Sequence, residues 1–422
     1  MTNLSSTLAA ALPSGGGRIA KGTPDYRRLS LALLMAGFST FALLYDVQPL
    51  LPLFARLFGV GAATSSFAVS FTTGAMALAF IPAGVLSDRI GRRPVMIASL
   101  FGSAGLTLLS AALPGWSTLL VMRALIGVAI AGVPSVAMAY VSEEVDATSV
   151  GSAMGLYIAG SAIGGMTGRL GITLVAQALG WRGALAAMGV AGLVAAVAFW
   201  RYAPPPQAFV PVRHDARSLF EATRRLMSDK ALPLLYLEGF LLMGAFVTLY
   251  NYAGFRLEAA PYNLSQAAVG TVFLLYIVGS FSSAWFGGLA GRVGRRKVFW
   301  IPILAMAAGV GVTAVRPLWL IIFGIGVITA AFFAAHSTAS GWVGRRATRD
   351  RAQASALYLL FYYLGSSLLG SAGGLAWSHG GWTSVVLFAL ALVLIALAIS
   401  MRLAGIQPLS LAPSTASPIP SR

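Results

Sequence analysis

The feature that most constrains this chain is a short basic connector that occurs twice, each time between two long apolar stretches. It first reads Gly84-Val-Leu-Ser-Asp88-Arg89-Ile-Gly91-Arg92-Arg93, and it returns 203 residues later as Gly287-Gly-Leu-Ala-Gly291-Arg292-Val-Gly294-Arg295-Arg296. A connector repeated at half the chain length predicts two related halves. Membrane proteins built from two related halves are mostly transporters.

The composition indicates a chain that lies in a lipid bilayer. Hydrophobic residues make up 58% of the 422 residues and charged residues 10%, which is too little polar surface for a soluble domain of this size. The net charge of +17 lies in connectors between apolar stretches, so nucleic acid is not an expected partner. The chain has no cysteine, which excludes disulfides, thiolate metal sites and cysteine nucleophiles.

Stretches of about 20 apolar residues predict an all-α membrane protein with twelve transmembrane helices in two pseudo-symmetric six-helix halves. The predicted helices cover residues 29–54, 65–87, 94–113, 117–140, 150–178, 182–202, 232–254, 267–290, 298–315, 318–343, 353–376 and 382–402. The halves are 28–202 and 232–402, and the linker 203–231 between them contains an amphipathic stretch around Leu219–Met227. Residues 1–27 and 403–422 are expected to be disordered tails.

The distribution of basic residues predicts the orientation. Of the 29 Lys and Arg residues, 23 fall on the side that both termini share, four fall on the other side, and two, Arg123 and Arg169, lie inside helices. Because cytoplasmic loops carry the excess of Lys and Arg, both termini are expected to be cytoplasmic. We expect a multi-pass membrane protein.

The two halves resemble each other beyond the basic connector. Gly160-Ser161 in the fifth predicted helix matches Gly365-Ser366 in the eleventh, 205 residues later. Gly180-Trp181 matches Gly381-Trp382 at an offset of 201. Three landmarks at nearly one offset predict an internal repeat.

With these motifs the chain resembles the major facilitator superfamily, from about residue 28 to 402. The first connector matches that family's signature between helices 2 and 3 at Gly84, Asp88, Arg89, Gly91, Arg92 and Arg93. Arg123 and Gly127 resemble its second signature, a membrane-buried Arg followed four residues on by Gly.

Helix 5 narrows the resemblance to a branch of the family. Its helix-packing glycines Gly160, Gly164 and Gly165 are similar to the glycine-rich signature of drug/proton antiporters, although Ser161 replaces the expected Pro and Leu156 the upstream Gly. The residues around Asp46 and His336 resemble the bacterial YnfM-type branch of sugar- or drug-efflux permeases of unknown substrate, which implies a protein of the bacterial inner membrane.

The connectors are the expected gating motif. Gly84 is expected to let helix 2 pack closely, Gly91 to allow the chain to reverse, and Arg89, Arg92 and Arg93 to anchor the loop at anionic headgroups.

Asp88 ends its own helix, where a carboxylate is disfavoured, so it needs an outside partner. The resemblance implies that this partner is the start of helix 11, in a latch that closes the cytoplasmic side. Alternatively, Asp88 is a solvated acid within a topology signal. The second connector contributes Arg292, Gly294, Arg295 and Arg296, with Gly291 in the place of Asp88.

Charges inside membrane helices are costly and indicate function by default. Asp46, Arg123 and Arg169 all fall about 9–13 Å below the same membrane edge, at a rise of 1.5 Å per residue. Since the family lines its central cavity with helices 1 and 4, the resemblance implies that Asp46 and Arg123 face each other. An aspartate that alternates between charged and neutral is what a proton-coupling site requires. The alternative is a static ion pair that fixes helix packing.

Other polar residues are weaker candidates. His336 is a possible second proton site or a neutral histidine bound to a helix carbonyl. Glu238 either lines the cavity or, as we expect, snorkels to the interface or pairs with a connector arginine. Tyr250 and Asn251, with Tyr252, contact a ligand or form an interfacial aromatic belt. The expected substrate cavity is lined by Tyr45, Gln48, Arg169, Glu238, Tyr250 and Asn251.

Absent motifs exclude other functions. The chain has no phosphate-binding loop with Gly-Lys-Ser/Thr, so ATP is not expected to drive it, and no metal or cofactor is expected. A membrane enzyme would need a nucleophile–base pair, and a channel would not need a gate motif in each half. We therefore expect a monomeric secondary transporter that exports a small solute, a sugar or a drug-like molecule, with protons as the coupling ion. The alternative is proton-coupled uptake.

Overall fold

The structure is a computed structural model that describes residues 18–207, 209–212 and 216–407. Within these ranges the regular structure is helical, apart from one isolated β-bridge between Ile19 and Val145. Eight of the described helices are long and apolar enough to cross a membrane. Two of these, Val150–Tyr202 and Arg351–Gly405, contain 53 and 55 residues and bend at glycines, so each supplies two crossings.

We number the membrane helices α1 to α12 in chain order. The single helices are α1 (Pro24–Phe58), α2 (Phe67–Ile90), α3 (Arg92–Ala112), α4 (Trp116–Ile130, continued as Ala137–Glu144), α7 (Leu232–Glu258), α8 (Gln266–Val293), α9 (Trp300–Val312) and α10 (Leu318–Arg346). Helices α5 and α6 are the parts of Val150–Tyr202 before and after Gly180, and α11 and α12 are the parts of Arg351–Gly405 before and after Gly380. A linker helix, Ala216–Met227, joins the halves. We call the side that holds both chain ends the terminal side and the other the opposite side.

The Gly-Trp repeats form the turns between α5 and α6 and between α11 and α12. Gly180 and Gly381 have φ angles of 67° and 57°, a left-handed conformation that favours glycine. The tryptophan that follows anchors each turn, since the Trp382 indole N–H donates to the Thr313 carbonyl over 2.9 Å and Trp181 packs edge-on against Phe54. The turns coincide with the predicted helix boundaries.

The chain ends differ from the predicted disordered tails. Helix α1 begins at Pro24, because the Thr23 hydroxyl caps its first turn by accepting the Tyr26 N–H over 3.2 Å. Further upstream, the Ile19 N–H donates to the Glu144 carbonyl over 2.8 Å. Helix α12 continues to Gly405 and buries Leu403. The rest of the predicted tails, 1–17 and 408–422, lies outside the described residues.

Two helices that the sequence predicts as continuous are interrupted. In helix α1 the α-helical hydrogen bonding ends at Tyr45, the chain passes through turns at Asp46 and Val47 and a 3₁₀ turn at Gln48–Leu50, and the α-helix resumes at Leu51–Phe58. Helix α4 opens into turns at residues 131–136, which include Pro134. Proline has no backbone N–H and clashes with the preceding turn, so Pro49 and Pro134 account for both interruptions.

Three of the predicted helix-packing glycines, Gly127, Gly160 and Gly164, lie where helix backbones approach each other, whereas a Cβ atom at Gly165 would meet only side chains, the nearest being Arg169 at 3.3 Å. A Cβ atom at Gly160 would lie 2.2 Å from the Leu34 carbonyl oxygen of α1. In the other half, a Cβ atom at Gly365 would lie 2.0 Å from the Phe240 carbonyl oxygen of α7. The repeat therefore places α5 on α1 and α11 on α7 in the same way. Gly127 makes the matching approach of α4 to α2, at 2.1 Å from the Thr72 carbonyl oxygen.

Replacing Gly164 by alanine should separate α1 from α5. Its Cβ atom would lie 2.1 Å from the Phe38 carbonyl oxygen, and backbone cannot yield as a side-chain tip can. We expect Gly164→Ala to cost about 1–3 kcal/mol, as overpacking does, and to lower the thermal unfolding midpoint in detergent. Gly155→Ala in the same helix is the matched control, because nothing lies within 4 Å of its Cβ position. Equal midpoints for the two variants would contradict this packing.

Candidate functional site

The interruption of α1 presents Asp46 inside the N-terminal half. We call Tyr45–Gln48 the α1 break. Helical bonding stops there, so the carbonyl groups of the preceding turn lose their partners and need other donors. The Asp46 carboxylate accepts the Val47 N–H over 2.8 Å, which holds its side chain against the break.

Arg123 of α4 supplies the missing donors. Its guanidinium donates to the Leu44 carbonyl over 2.9 Å, to the Leu43 carbonyl over 3.4 Å and to the Asp46 carboxylate over 2.8 Å. Its Nε atom donates to the Ala68 carbonyl of α2 over 3.0 Å. One arginine therefore connects α1, α2 and α4. Only a planar group with several fixed donors can do this, which explains an arginine rather than a lysine here.

The Asp46–Arg123 ion pair is fully enclosed, with both side chains at 0% exposure. The second carboxylate oxygen of Asp46 accepts no hydrogen bond from the described residues. Separating two buried charges is expensive when either is left unpaired. The pair therefore has one acceptor position free and no access to water in this state.

Arg169 of α5 belongs to a second hydrogen-bond network, which extends from the N-terminal half to the C-terminal half. Its Nε atom donates to the Gln48 side-chain oxygen over 2.8 Å, and the Gln48 amide donates to the Asn251 oxygen of α7, also over 2.8 Å. The guanidinium lies 4.4 Å from the ring centroid of Tyr45 and 4.8 Å from that of Tyr276. Asp46 thus pairs with Arg123, while Arg169 binds Gln48 and lies over three aromatic rings, those of Tyr45, Tyr276 and Phe273.

Both ends of the α1 break are attached to the C-terminal half. The Tyr45 hydroxyl lies 3.3 Å from the Ser366 hydroxyl of α11, and Gln48 binds Asn251 as described above. Asp46 lies between these two attachments. Any movement of one half against the other must therefore act on the segment that holds the carboxylate.

Further hydrogen bonds join the halves on the opposite side. Arg56 and Glu258, at the ends of α1 and α7, form an ion pair at 2.8 Å. The hydroxyls of Ser70 in α2 and Ser371 in α11 lie 2.5 Å apart. Deeper in the membrane, the rings of Phe80 and Tyr363 stack with centroids 5.6 Å apart. The halves are clasped together on the side away from the chain termini.

The prediction that Glu238 snorkels to the interface or pairs with a connector arginine is wrong. Its side chain is 0% exposed, both carboxyl oxygens lack a hydrogen-bond partner among the described residues, and no described connector arginine pairs with it. It lies at the contact of α7 with α11, where a Cβ atom on the next residue, Gly239, would lie 2.9 Å from the Tyr358 ring. The helix faces its neighbour there rather than lipid, so the side chain cannot snorkel.

His336 is partly buried, and the polar and aromatic residues at the end of α7 are buried. The His336 Nδ1 atom lies 3.0 Å from the Tyr358 hydroxyl rather than at a helix carbonyl, and its ring lies 4.6 Å from that of Tyr362. Tyr250 is buried and its hydroxyl lies 2.7 Å from that of Thr329. Asn251 and Tyr252 are buried as well, so these residues do not form an interfacial belt.

The first connector reverses the chain as predicted, since Gly91 has a φ angle of 103° and Gly294 matches it at 104°. Close packing at Gly84 is wrong for this state, because nothing lies within 4 Å of its Cβ position. Arg93 donates to the carbonyls of Trp200 and Ala203 at the end of α6, and Arg296 donates to that of Ala404 at the end of α12. These two arginines therefore cap corresponding helices rather than reach only for lipid.

Asp88 contacts an arginine of its own connector. Its carboxylate accepts a hydrogen bond from Arg92, and Arg92 also binds Glu143 at the end of α4 over 2.9 Å. Glu143 was not predicted as a site residue, because adjacent acids in a loop show no partner in the sequence. Glu258 was missed for the same reason, since its partner Arg56 is 202 residues away.

Two repeated six-helix halves that enclose polar groups and meet along facing helices define a secondary transporter rather than an enzyme. A family model for the Major Facilitator Superfamily matches residues 29–281. The chain is 46% identical over 390 residues to the inner membrane transport protein YnfM of Escherichia coli, with 91% of this chain and 92% of that protein covered. It is 43% identical over 386 residues to the MFS-type transporter YybF of Bacillus subtilis, with 92% and 96% covered. The chain belongs to the Major Facilitator Superfamily, which confirms the resemblance.

Solved structures confirm the fold. A bacterial homologue of the human lysosomal transporter Spinster, in an inward-facing and unoccupied conformation, superposes with a TM-score of 0.75 at 17% identity, covering 90% of this chain and 97% of that chain. The nucleoside transporter NupG gives a TM-score of 0.72 at 15% identity, with 89% and 99% covered. The all-helical fold of two halves is therefore established.

Replacing Arg123 by lysine should destabilise the protein even though the charge is kept. An ammonium group cannot reach the Leu44 and Ala68 carbonyls and Asp46 together, so buried acceptors lose their donors at about 1–3 kcal/mol each. We expect Arg123→Lys to lower the thermal unfolding midpoint in detergent by several degrees. Arg182→Lys, at an exposed position on the opposite side, is the control. A wild-type midpoint for Arg123→Lys would show that the carbonyl contacts do not hold α1.

Proposed function

We propose that this transporter exports a small organic solute, a sugar or a drug-like molecule, in exchange for protons across the bacterial inner membrane. The termini are cytoplasmic in this proposal, because the terminal side carries most of the Lys and Arg residues. The naming of the Escherichia coli relative as an inner membrane transport protein supports the location. The protein acts as a monomer, and uptake driven by the same protons is the alternative direction.

The observation that carries the proposal is the position of Asp46 in the α1 break. Opening the opposite side requires the Tyr45–Ser366 and Gln48–Asn251 contacts to break, and both flank Asp46 directly. Release of the break frees the carboxylate from its enclosed pair with Arg123 and exposes it to water, where it exchanges a proton. Binding of the proton and opening of the opposite side are then one event.

The hydrogen-bond network between the halves contains groups that can bind a solute. When the halves part, the Gln48–Asn251 hydrogen bond and the Arg169–Tyr276 contact break, so that the amides of Gln48 and Asn251 and the guanidinium of Arg169 face the opening beside the rings of Tyr45 and Tyr276. Amides and a guanidinium bind hydroxyl and carboxylate groups, and the rings stack on flat or sugar-like faces. This supports a polar organic solute with an apolar face.

Asp46→Asn should abolish transport driven by a pH gradient and retain substrate binding or exchange, because an amide does not carry a proton. The measurement uses proteoliposomes, with and without an imposed pH gradient, and a substrate found in a panel of sugars and drug-like molecules. Asp25→Asn, an exposed acid near the start of α1, is the matched control. Full gradient-driven transport by Asp46→Asn would remove Asp46 as the carrier.

A second variant covers the possibility that Asp46→Asn fails to fold. The single change leaves the Arg123 charge buried and unpaired, at a cost of about 3–5 kcal/mol. Asp46→Asn combined with Arg123→Gln removes both charges together. This pair should recover part of the stability and should not recover gradient-driven transport.

Asp88 is proposed to latch the cytoplasmic side when the opposite side opens. In this structure it binds Arg92, and the start of α11 binds the linker helix, through Arg225 and Asp350 at 2.9 Å and through Gln353 and Thr223 at 2.6 Å. The latch would form when the two halves close on the terminal side and Asp88 reaches the N-terminus of α11. The solvated-acid alternative requires no such change of partner.

Asp88→Asn separates the two readings, because it leaves every positive charge of the connector in place. Loss of a charge-assisted contact of about 1–3 kcal/mol should shift the conformational equilibrium five- to 150-fold away from the outward-open state. Labelling of cysteines introduced on the terminal side of this cysteine-free chain should increase, and turnover should fall at unchanged expression. Wild-type labelling and turnover would eliminate the latch.

A further inference from the structure

The two connectors differ in how their arginines are neutralised. In the N-terminal half, Arg92 lies between two carboxylates, those of Asp88 and Glu143. The repeat places Gly291 in the position of Asp88, 203 residues later. Helix α10 ends with Arg345 and Arg346, whereas α4 ends with Glu143 and Glu144. The counterpart of Arg92 is Arg295, which therefore has neither acid of the first half.

An open cavity lies on the terminal side of the C-terminal half, and Gly291 is part of its wall. It has a volume of about 1110 Å³ and lies between the ends of α8, α10 and α12. We call it the basic cavity, after its six cationic lining residues: Arg295, Arg296, Lys297, Arg345, Arg346 and Arg351. Trp300 and Trp342 form an apolar part of its wall.

The acids near the basic cavity form ion pairs with arginines other than Arg295. Asp229 binds Arg346 over 3.0 Å, and Asp350 binds Arg225 of the linker helix over 2.9 Å. Burial alone would raise the pKa of Asp229, but the hydrogen bonds from Arg346 and from the backbone N–H groups of Ala231 and Leu232 hold it below its usual value. Asp229 is therefore a fixed carboxylate that neutralises Arg346 alone.

Arg295 is the cation with an unmet donor. Its Nε atom is buried and has no hydrogen-bond partner among the described residues. Burial and the neighbouring charge of Arg345 lower its pKa. A buried guanidinium donor next to a like charge is unfavourable unless an anion joins them.

We propose that the basic cavity binds a phosphate-bearing anion, whose oxygens bridge Arg295 and Arg345 in the place that Asp88 and Glu143 occupy in the other half. A guanidinium group matches phosphate with paired hydrogen bonds, as it matches a carboxylate. Two sources supply this chemistry, the headgroup of an anionic phospholipid and free phosphate. The lipid fits the tryptophans of the wall, since indole rings belong at the membrane interface.

The test measures binding to the full chain in nanodiscs by tryptophan fluorescence, to which Trp300 and Trp342 of the cavity wall contribute. One arm replaces part of the phosphatidylcholine by phosphatidylglycerol, and the other adds inorganic phosphate to pure phosphatidylcholine nanodiscs. Arg295→Gln removes the unmet donor. Gly291→Asp restores the carboxylate of the first half at a position where nothing lies within 4 Å of a Cβ atom. Arg292→Gln is the control, because it removes a charge from the same connector outside the cavity.

We expect Arg295→Gln and Gly291→Asp each to weaken binding by about tenfold or more, the loss of one charge-assisted hydrogen bond, and Arg292→Gln to leave it unchanged. A response to phosphatidylglycerol only identifies the lipid as the source, and a response to phosphate only identifies the soluble anion. Absence of a response in both arms would overturn the proposal. An equal loss in all three variants would also overturn it, because it would show attraction by net charge alone.

Discussion

The contact on which the N-terminal half depends is the enclosure of the Arg123 guanidinium by the interrupted turn of α1. Pro49 and the polar residues around it stop the helix, and the interruption leaves carbonyl groups that a membrane interior cannot hydrate. Arg123 donates hydrogen bonds to these carbonyl groups, and Asp46 neutralises its charge. One side chain therefore supplies the missing donors and pairs with the buried carboxylate. A buried ion pair adds little stability by itself. Here it makes a broken helix tolerable, and the broken helix in turn attaches the half to its partner through Tyr45 and Gln48.

The repeat explains both what the halves share and where they diverge. Glycine contacts of α5 on α1 and of α11 on α7, left-handed glycines in both connectors, and arginine caps on α6 and α12 recur at equivalent positions. The charges do not recur. The N-terminal half carries the paired Asp46 and the neutralised Arg92, whereas the C-terminal half carries an isolated Glu238 and the unneutralised Arg295. We interpret this asymmetry as a division between the half that holds the proposed coupling site and the half that holds the proposed anion site.

Periodicity and repeats sufficed to predict the fold, because the membrane permits few alternatives to helices. The similar membrane depth of Asp46 and Arg123 was predicted by counting residues along straight helices. The interruption of α1 was not predicted, since the apolar stretches on either side of it make one span of membrane length and Pro49 alone does not show which carbonyls will be exposed. Glu238 was misplaced because a one-dimensional pattern does not show which helix face meets α11. Contacts between the halves, such as Arg56 with Glu258, join residues 202 positions apart and leave no local signal.

The central claim is that protonation of Asp46 and opening of the opposite side are one event. It is tested most directly by electron–electron distance measurements between spin labels on Leu57→Cys and Ala259→Cys, at the ends of α1 and α7, in the wild-type background and with Asp46→Asn. The account predicts that acidification lengthens this distance in the wild-type background and leaves it unchanged with Asp46→Asn. The same pH response in both backgrounds would contradict it.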